Sequence, residues 1–125
     1  MMHKPRRDGL QRFYWAFIYS RKGVKAAWEH EAAFRQELTA MLILVPLAFF
    51  LGETAEQRIL LIAPCFFVII TELLNSAIEA VVDRIGSEHH VLSGQAKDMA
   101  SAAVLLSIGV VFISWTLIIW QRFVS

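Results

Sequence analysis

The sequence predicts an all-α integral membrane protein with three transmembrane helices and an amphipathic surface helix at its amino terminus. Hydrophobic residues make up 57% of the 125 residues, well above the share in soluble domains. The 23 residues from Met99 to Gln121 carry no charge, and as a helix of about 34 Å they can cross a hydrocarbon core of about 30 Å. The length indicates a single domain, residues 1–125, in which a sizeable ligand site is expected to form between identical subunits.

Residues 9–30 follow a helical period with two different faces. Apolar side chains can share one face while basic ones lie on or flank the other: Leu10, Phe13, Phe17, Val24 and Trp28 against Arg12, Arg21, Lys22 and Lys25. This pattern predicts a helix in the headgroup layer of an anionic leaflet, so that residues 1–30 form an amino-terminal arm and surface helix. The alternative is a soluble helix that covers other protein. We expect Gly23 to mark a turn or break.

Three apolar stretches predict the transmembrane helices, at residues 32–52, 59–82 and 99–121. Residues 52–58 are expected to form a short polar turn. Residues 85–98 are rich in Gly, Ser and charge and are expected to form a loop.

The first of these helices is predicted to begin near Ala32, because its uncharged part, residues 38–52, is too short to cross a bilayer. This start places Glu31, Arg35 and Glu37 at or just inside the membrane interface, where headgroups, water or partners can satisfy them.

The distribution of basic residues predicts the orientation in the membrane. Of twelve Lys and Arg residues, ten lie in the amino-terminal arm and the loop near 83–98, and two, Arg58 and Arg122, lie on the opposite face. The positive-inside rule therefore places the amino terminus and that loop in the cytoplasm and the carboxyl terminus outside. Trp115 and Trp120 suit the outer interface.

A polar stripe interrupts the second predicted transmembrane helix. Its members recur at steps of three and four and therefore share one helical face: Glu72, Asn75, Ser76, Glu79 and Asp83. Carboxylates within a bilayer are costly, so this stripe is a candidate functional site. In the predicted orientation the five residues form a series in depth, with Glu72 about 10 Å deeper along the helix axis than Glu79.

Other interpretations of the stripe remain open. Its polar groups could join helices by hydrogen bonds, although one Asn would be enough for that. A small ion-coupled transporter would account for an intramembrane Glu72, and a structural oligomer-forming subunit is a further alternative.

The charged loop lies at the same mouth of the membrane as Glu31 and Asp83. Two adjacent histidines, His89 and His90, are weak evidence for zinc because no third ligand stands at helical spacing. The chain contains no Walker A loop, dinucleotide-binding glycine motif or nucleophile elbow. The single cysteine, Cys65, is expected to be buried and inert. We expect no nucleic-acid partner.

Two stretches resemble one known family closely. The segment ELLNSAIEAVVDRIGSEHHVLSGQAKDMASAAVL at 72–106 and the segment AAWEHEAAFRQE at 26–37 are similar to the prokaryotic diacylglycerol kinase family of small integral membrane proteins. The resemblance implies a homotrimer in the bacterial cytoplasmic (inner) membrane, with active sites shared between neighbouring subunits at the cytoplasmic interface. It also implies transfer of the γ-phosphoryl group of MgATP to diacylglycerol, giving phosphatidic acid.

The resemblance also assigns roles to residues of this chain. Glu72 matches the catalytic base, Glu31 and Glu79 match the acids that bind Mg²⁺, and Asn75 is positioned to hydrogen-bond Glu72 or the transferring group. The matched ATP-binding residues are Arg12, Tyr19, Glu31, Glu79, Glu88, His89, His90, Lys97 and Asp98. The matched lipid-substrate residues are Arg12, Ala16, Arg21, Lys25, Arg35, Glu37, Glu72, Ser101, Trp115 and Trp120.

Some branches of this family phosphorylate undecaprenol. The continuous segment VVDRIGSE at 81–88 resembles the diacylglycerol-specific branch more closely, and diacylglycerol is therefore the expected substrate. Arg21 stands where the family commonly has an aromatic residue, and this is a departure from the family pattern at a lipid or interface contact.

Overall fold

The computed structural model describes residues 8–125, and the beginning of the predicted amino-terminal arm, residues 1–7, lies outside the described residues. The described part of the chain folds into four α-helices and contains no β-strand. Their bounds are α1 Leu10–His30, α2 Ala32–Leu51, α3 Ala55–Ile85 and α4 Val91–Phe123. Helices α2, α3 and α4 are long and apolar enough to cross a membrane, which confirms the all-helical class and the three candidate spans.

Helix α1 runs through Gly23 without a break, so the predicted interruption is wrong. A single glycine costs a helix only about 1 kcal/mol, which the rest of the helix can offset. Glu31 alone separates α1 from α2. Its backbone is extended, with φ −121° and ψ 106°, and this one residue changes the direction of the chain.

The turn between α2 and α3 is shorter than predicted, because α3 already begins at Ala55. Thr54 caps the helix by accepting a hydrogen bond from the backbone N–H of Gln57 at 3.2 Å. The Gln57 side chain in turn accepts from the backbone N–H of Glu53 at 2.7 Å. These two hydrogen bonds satisfy backbone N–H groups that have no partner within the helix at its amino-terminal end. Residues 55–58, which were predicted to belong to the polar turn, therefore form the first turn of α3.

The prediction of a loop over residues 85–98 is wrong for most of that stretch. Only residues 86–90 are non-helical between α3 and α4. His90 caps α4 through Nδ1, which accepts from the backbone N–H of Leu92 at 3.1 Å. A helix can continue into water once its end is capped, so α4 begins eight residues before its uncharged stretch and carries Lys97 and Asp98 as helical residues.

Helix α3 is central, since it packs most extensively on α4 and next on α2. The buried core lies towards the carboxyl-terminal end of α4 and comprises Ala48, Leu61, Trp115 and Ile118. The Trp115 indole N–H donates to the Leu61 carbonyl at 3.0 Å. Cys65 is buried next to this core, as expected, and its thiol lies 3.5 Å from the same carbonyl. The core therefore holds α4 against α3.

Polar contacts fasten the same end of the bundle. Arg122 pairs with Glu53 at 2.9 Å, and Gln57 donates to Gln121 at 3.3 Å. The Arg58 side chain passes close over Gly52, where an added Cβ would lie 2.6 Å from Arg58 Cγ. The small residue at this turn thus allows the close approach.

Much apolar surface remains exposed on the single chain. The examples include Leu42, Phe50, Leu106 and Phe112. So many exposed large apolar side chains are unfavourable in water. Lipid or further copies of the chain must cover it.

We predict that Trp115→Phe lowers the free energy of unfolding by about 1–3 kcal/mol, because it removes the hydrogen bond to Leu61 and leaves a small cavity. Reversible unfolding of the purified chain by sodium dodecyl sulfate in mixed micelles measures this change. Trp120→Phe is the matched control, since Trp120 is 61% exposed. Equal effects of the two substitutions would contradict a special role for the buried indole.

Candidate active site

Three residues of the polar stripe of α3 are buried within a single chain. Glu72 is 3% exposed, and Asn75 and Ser76 are each 9% exposed. Helix α3 is unbroken from Ala55 to Ile85, so the spacing that predicted one polar face is realised by a continuous helix. These three side chains lie inside the bundle, and the Glu72 carboxyl group is removed from bulk solvent.

Carboxyl groups from three parts of the chain surround Glu72. Glu37 of α2 lies within hydrogen-bonding reach of it, as does Asn75. Glu31 and Glu79 are close enough for their charges to act on Glu72. Four carboxyl groups thus form one cluster, which we call the acidic cluster: Glu31, Glu37, Glu72 and Glu79.

Glu31 reaches the acidic cluster because it is the bend between α1 and α2. Its backbone N–H donates to Ala27 at 2.9 Å, and its carbonyl accepts from the N–H of Arg35 at 3.2 Å. The Arg35 guanidinium donates to the Trp28 carbonyl at 2.7 Å and satisfies an acceptor at the end of α1. The bend is therefore held by hydrogen bonds on both sides.

Three buried polar atoms beside Glu72 have no hydrogen-bond partner in the described part of the chain: Glu37 Oε2, Asn75 Oδ1 and Ser76 Oγ. The Nδ2 group of Asn75 donates a hydrogen bond to Oε1 of Glu79 at 3.3 Å. Buried polar atoms are nearly always paired in folded proteins. Three unpaired atoms in one place indicate that a ligand or a neighbouring chain completes the site.

A basic residue stands at the open end of the stripe. Lys97, two turns into α4, pairs with Asp83 of α3 at 2.7 Å, and both side chains remain partly exposed. The charge of Glu79 also acts on Lys97. The ammonium group therefore lies between the acidic cluster and solvent, where it can contact a water-soluble anion.

The predicted site residues of α1 are distributed along that helix and do not all reach the acidic cluster. Ala16, Arg21 and Lys25 are exposed, and Lys25 pairs with Glu29 at 3.8 Å. Tyr19 lies beside Trp15, with ring centroids 6.1 Å apart. Arg12 is separated from Glu31 by 19 helical positions, about 28 Å at the helical rise. A single chain therefore does not bring Arg12 and Glu31 to one site.

The remaining predicted residues lie on α4 and the segment before it. Glu88 and His89 are exposed, and the His90 imidazole caps α4. Asp98 and Ser101 are exposed. Trp115 and Trp120 lie 18 and 23 positions beyond Lys97 along α4, about 27 and 35 Å away. Trp115 is buried against Leu61, so its indole serves the core, and its predicted lipid contact stays a prediction.

The donor set is compatible with Mg²⁺ only together with a ligand. Within residues 8–125, no group of three or more His, Cys, Asp or Glu side chains is arranged to hold a metal ion. Mg²⁺ is commonly bound by one or two carboxylates together with substrate phosphates and water. Glu31 and Glu79 supply such carboxylates, and the unpaired Asn75 Oδ1 is a further oxygen donor nearby.

The sequence interpretation missed the position of Glu37 and the pairing of Lys97 with Asp83. Glu37 was predicted only as a lipid-side residue at the interface, whereas its carboxyl group faces Glu72. The sequence did contain a sign of this role, since Glu37 stands immediately before the uncharged residues 38–52. An ionisable residue inside a membrane helix is a functional candidate by default. No spacing rule links residues of different helices.

Comparison with known proteins adds an independent observation. A family profile described as Prokaryotic diacylglycerol kinase matches residues 18–119. A protein of Escherichia coli (strain K12) named Diacylglycerol kinase is 56% identical over 115 residues, covering 92% of this chain and 94% of that protein. The Diacylglycerol kinase of Haemophilus influenzae is 53% identical over 97 residues, covering 78% of this chain and 82% of that protein. The Diacylglycerol kinase of Helicobacter pylori (strain ATCC 700392 / 26695) is 46% identical over 119 residues, covering 95% of this chain and 89% of that protein.

The profile and the relatives each extend over most of the chain, including the acidic cluster and Lys97. The chain therefore belongs to the prokaryotic diacylglycerol kinase family.

Proposed function

We propose that the chain is a kinase that transfers the γ-phosphoryl group of ATP to the free hydroxyl of diacylglycerol, giving phosphatidic acid and ADP. The observation that carries this proposal is the buried Glu72, a carboxylate on a candidate membrane-spanning helix in a chain similar to proteins named Diacylglycerol kinase. A carboxylate at that depth can meet a hydroxyl presented by a lipid, which a water-soluble base cannot reach.

In the proposed reaction Glu72 is the general base. The Glu72 carboxylate accepts the proton of the lipid hydroxyl as the hydroxyl oxygen bonds to the γ-phosphorus, and the bond between that phosphorus and the β,γ-bridging oxygen breaks. ADP leaves with the electron pair of that bond. Asn75 lies within hydrogen-bonding reach of Glu72 and is proposed to orient its carboxylate. Positioning and charge neutralisation contribute most of the catalysis of phosphoryl transfer.

Glu31 and Glu79 would hold Mg²⁺, with Asn75 Oδ1 nearby. When bound, the ion would supply neutralisation of the negative charge of the ATP phosphates. Asn75 keeps Glu79 oriented through their hydrogen bond.

Lys97 contacts the phosphates of ATP in this proposal. Its ammonium group is partly exposed and pairs with Asp83, and an arriving phosphate can replace Asp83 as its partner. The proposed ATP-binding residues besides Glu31, Glu79 and Lys97 are Arg12, Tyr19, Glu88, His89, His90 and Asp98.

The lipid contacts are proposed to extend from the surface helix to the far end of α4. Glu37 and Glu72 meet the polar end of the lipid, because both lie in the acidic cluster. The other proposed lipid-side residues are Arg12, Ala16, Arg21, Lys25, Arg35, Ser101, Trp115 and Trp120.

The chain is proposed to work as a homotrimer whose active sites are shared between neighbouring copies. The separation of about 28 Å between Arg12 and Glu31 along one helix supports this arrangement, because one ATP molecule would need the two residues from different copies. The unpaired buried atoms at the stripe and the exposed apolar surface of α2 to α4 also support it. Helix α1 is proposed to lie as an amphipathic helix in the membrane interface.

The proposed location is the bacterial inner membrane, with the amino terminus in the cytoplasm and the carboxyl terminus outside. The excess of Lys and Arg in the amino-terminal arm and near the α3–α4 connection supports this orientation. It places the acidic cluster at the side of the membrane that contains ATP.

We predict that the purified chain in mixed micelles forms labelled phosphatidic acid from diacylglycerol and γ-labelled ATP, and that a chelator of divalent cations stops the reaction. Thin-layer chromatography of the extracted lipid measures the product. Undecaprenol, offered in parallel, is expected to be the poorer acceptor. No phosphorylated diacylglycerol at any magnesium concentration would overturn the proposal.

Glu72→Gln is predicted to lower kcat by at least about 100-fold, since a positioned general base contributes roughly 10²–10⁴-fold. The affinity for ATP, measured by calorimetric titration with a non-hydrolysable analogue, should change little. Glu56→Gln is the matched control, because Glu56 is exposed in the first turn of the same helix. Near-normal turnover of Glu72→Gln would remove this residue as the base.

Glu79→Gln is predicted to raise the magnesium concentration for half-maximal activity by about tenfold or more. Binding of Mn²⁺, followed by electron paramagnetic resonance in the presence of the ATP analogue, should weaken in parallel. The same Glu56→Gln chain serves as the control. An unchanged magnesium dependence together with unchanged Mn²⁺ binding would exclude Glu79 as a metal ligand.

A further inference from the structure

A groove of about 480 Å³ lies between α1 and α3. We call it the α1–α3 groove. Small and apolar side chains form most of its walls, including Ala27 from α1 and Leu73 and Ala77 from α3, and no Lys or Arg of residues 8–125 lines it. Its polar lining residues are Ser20, His30, Glu31 and Ser76. The mostly apolar walls with a few polar groups suit a ligand with apolar parts and a few oxygen atoms.

The Ser76 hydroxyl is buried in this groove without a partner. Ser76 is 9% exposed, and its Oγ atom forms no hydrogen bond within residues 8–125. Three other helical hydroxyls donate to a backbone carbonyl one turn back: Thr39 to Arg35 at 2.7 Å, Thr71 to Val68 at 3.0 Å and Ser107 to Ala103 at 2.9 Å. Because an unpaired buried hydroxyl costs free energy, the Ser76 hydroxyl is available to bind a partner that residues 8–125 do not provide.

The position of Ser76 connects the α1–α3 groove to the acidic cluster. Ser76 stands one helical turn from Glu72 on the same face of α3. Glu31 lines the groove and its charge also acts on Glu72. A ligand in the groove that bonds to Ser76 therefore has one end next to the proposed base.

We propose that Ser76 is a substrate-binding residue, whose hydroxyl donates a hydrogen bond to an acyl ester carbonyl of diacylglycerol lying in the α1–α3 groove. This inference rests on the proposed function. The ester carbonyl is the acceptor nearest to the free hydroxyl of diacylglycerol. Holding it at Ser76 brings the free hydroxyl to Glu72, while the acyl carbons lie against the alanine and leucine side chains of the groove.

The lack of Lys and Arg side chains from residues 8–125 in the lining favours the lipid over the nucleotide as the occupant. The phosphates of a nucleotide require cations or metal-bound positions, and Lys97, the proposed phosphate contact, is at the α4 side of the stripe. Ser76 lies on the α1 side. The acyl part of the lipid would thus lie on the side of α3 away from Lys97, with Glu31 at the end of the groove next to the acidic cluster.

Ser76→Ala is predicted to raise the KM for dioleoylglycerol about five- to tenfold, which corresponds to the loss of one neutral hydrogen bond. The kcat and the KM for MgATP should stay within about twofold of the unchanged chain. Ser76→Thr keeps the hydroxyl and should restore most of the affinity. Ser107→Ala, which removes a hydroxyl that is already bonded to its own helix, should leave all three constants unchanged.

A second substrate separates a direct contact from a structural effect. Dioleylglycerol with ether linkages has the same free hydroxyl but no ester carbonyl. The unchanged chain should have a higher KM for the ether than for the ester, and Ser76→Ala should raise the KM for the ether no further. Loss of the ester preference in the variant supports the proposal.

Several outcomes would overturn it. An equal rise in KM for ester and ether would mean that Ser76 acts on the structure of the site. An unchanged KM with a lower melting temperature of the oligomer would mean that a neighbouring copy of the chain fills the groove. If the unchanged chain phosphorylates diacylglycerol but Ser76→Ala does so with identical constants, the inference fails and the proposed function stands. If the unchanged chain forms no phosphatidic acid, the proposed function itself fails.

Discussion

The structure depends on one constraint, which is that a candidate membrane-spanning helix buries a carboxylate. Glu72 is almost inaccessible in α3, and a charged group at such a position costs several kcal/mol unless it is paired. Asn75 and the carboxyl group of Glu37 both lie within hydrogen-bonding reach of Glu72 and offset part of this free-energy cost. Among residues 8–125, no Lys, Arg or His is one of the groups that act on Glu72. An arrangement that concentrates like charges is unfavourable for helix packing, and it supports the proposal that a cation and a phosphate bind here.

The two ends of α3 have different tasks. Towards its amino terminus, α3 packs on α4 through the buried Trp115, whose indole bonds to Leu61, and the ion pair between Glu53 and Arg122 fastens the same end. Towards its carboxyl terminus, α3 carries the stripe with its unpaired atoms. Tight packing at the amino-terminal end of α3 stabilises the helix. The polar groups at its carboxyl-terminal end can therefore stay unpaired and available to ligands, because the stability of α3 does not depend on hydrogen bonds between them.

Periodicity and hydrophobicity predicted most of the fold but only part of the site. The stripe on α3 was predictable because one continuous helix fixes the relation of residues three and four positions apart. The early start of α4 was not predictable from hydrophobicity. His90 caps a helix end that extends beyond the apolar stretch, and hydrophobicity indicates which residues can lie in the membrane but not where a capped helix begins. The contact of Glu37 with Glu72 depends on the packing of α2 on α3, which no pattern within either helix encodes.

The central claim is that Glu72 is retained for chemistry at a cost to stability. Its most direct test is the free energy of unfolding of the Glu72→Leu chain in mixed micelles, measured by titration with sodium dodecyl sulfate together with the formation of phosphatidic acid. Replacing a buried charged group by an apolar one of similar volume is often neutral or stabilising. The account predicts an unfolding free energy equal to or higher than that of the unchanged chain, and no product. A chain that is clearly less stable would show that Glu72 holds the helices together, and a chain that still phosphorylates diacylglycerol would contradict the catalytic role.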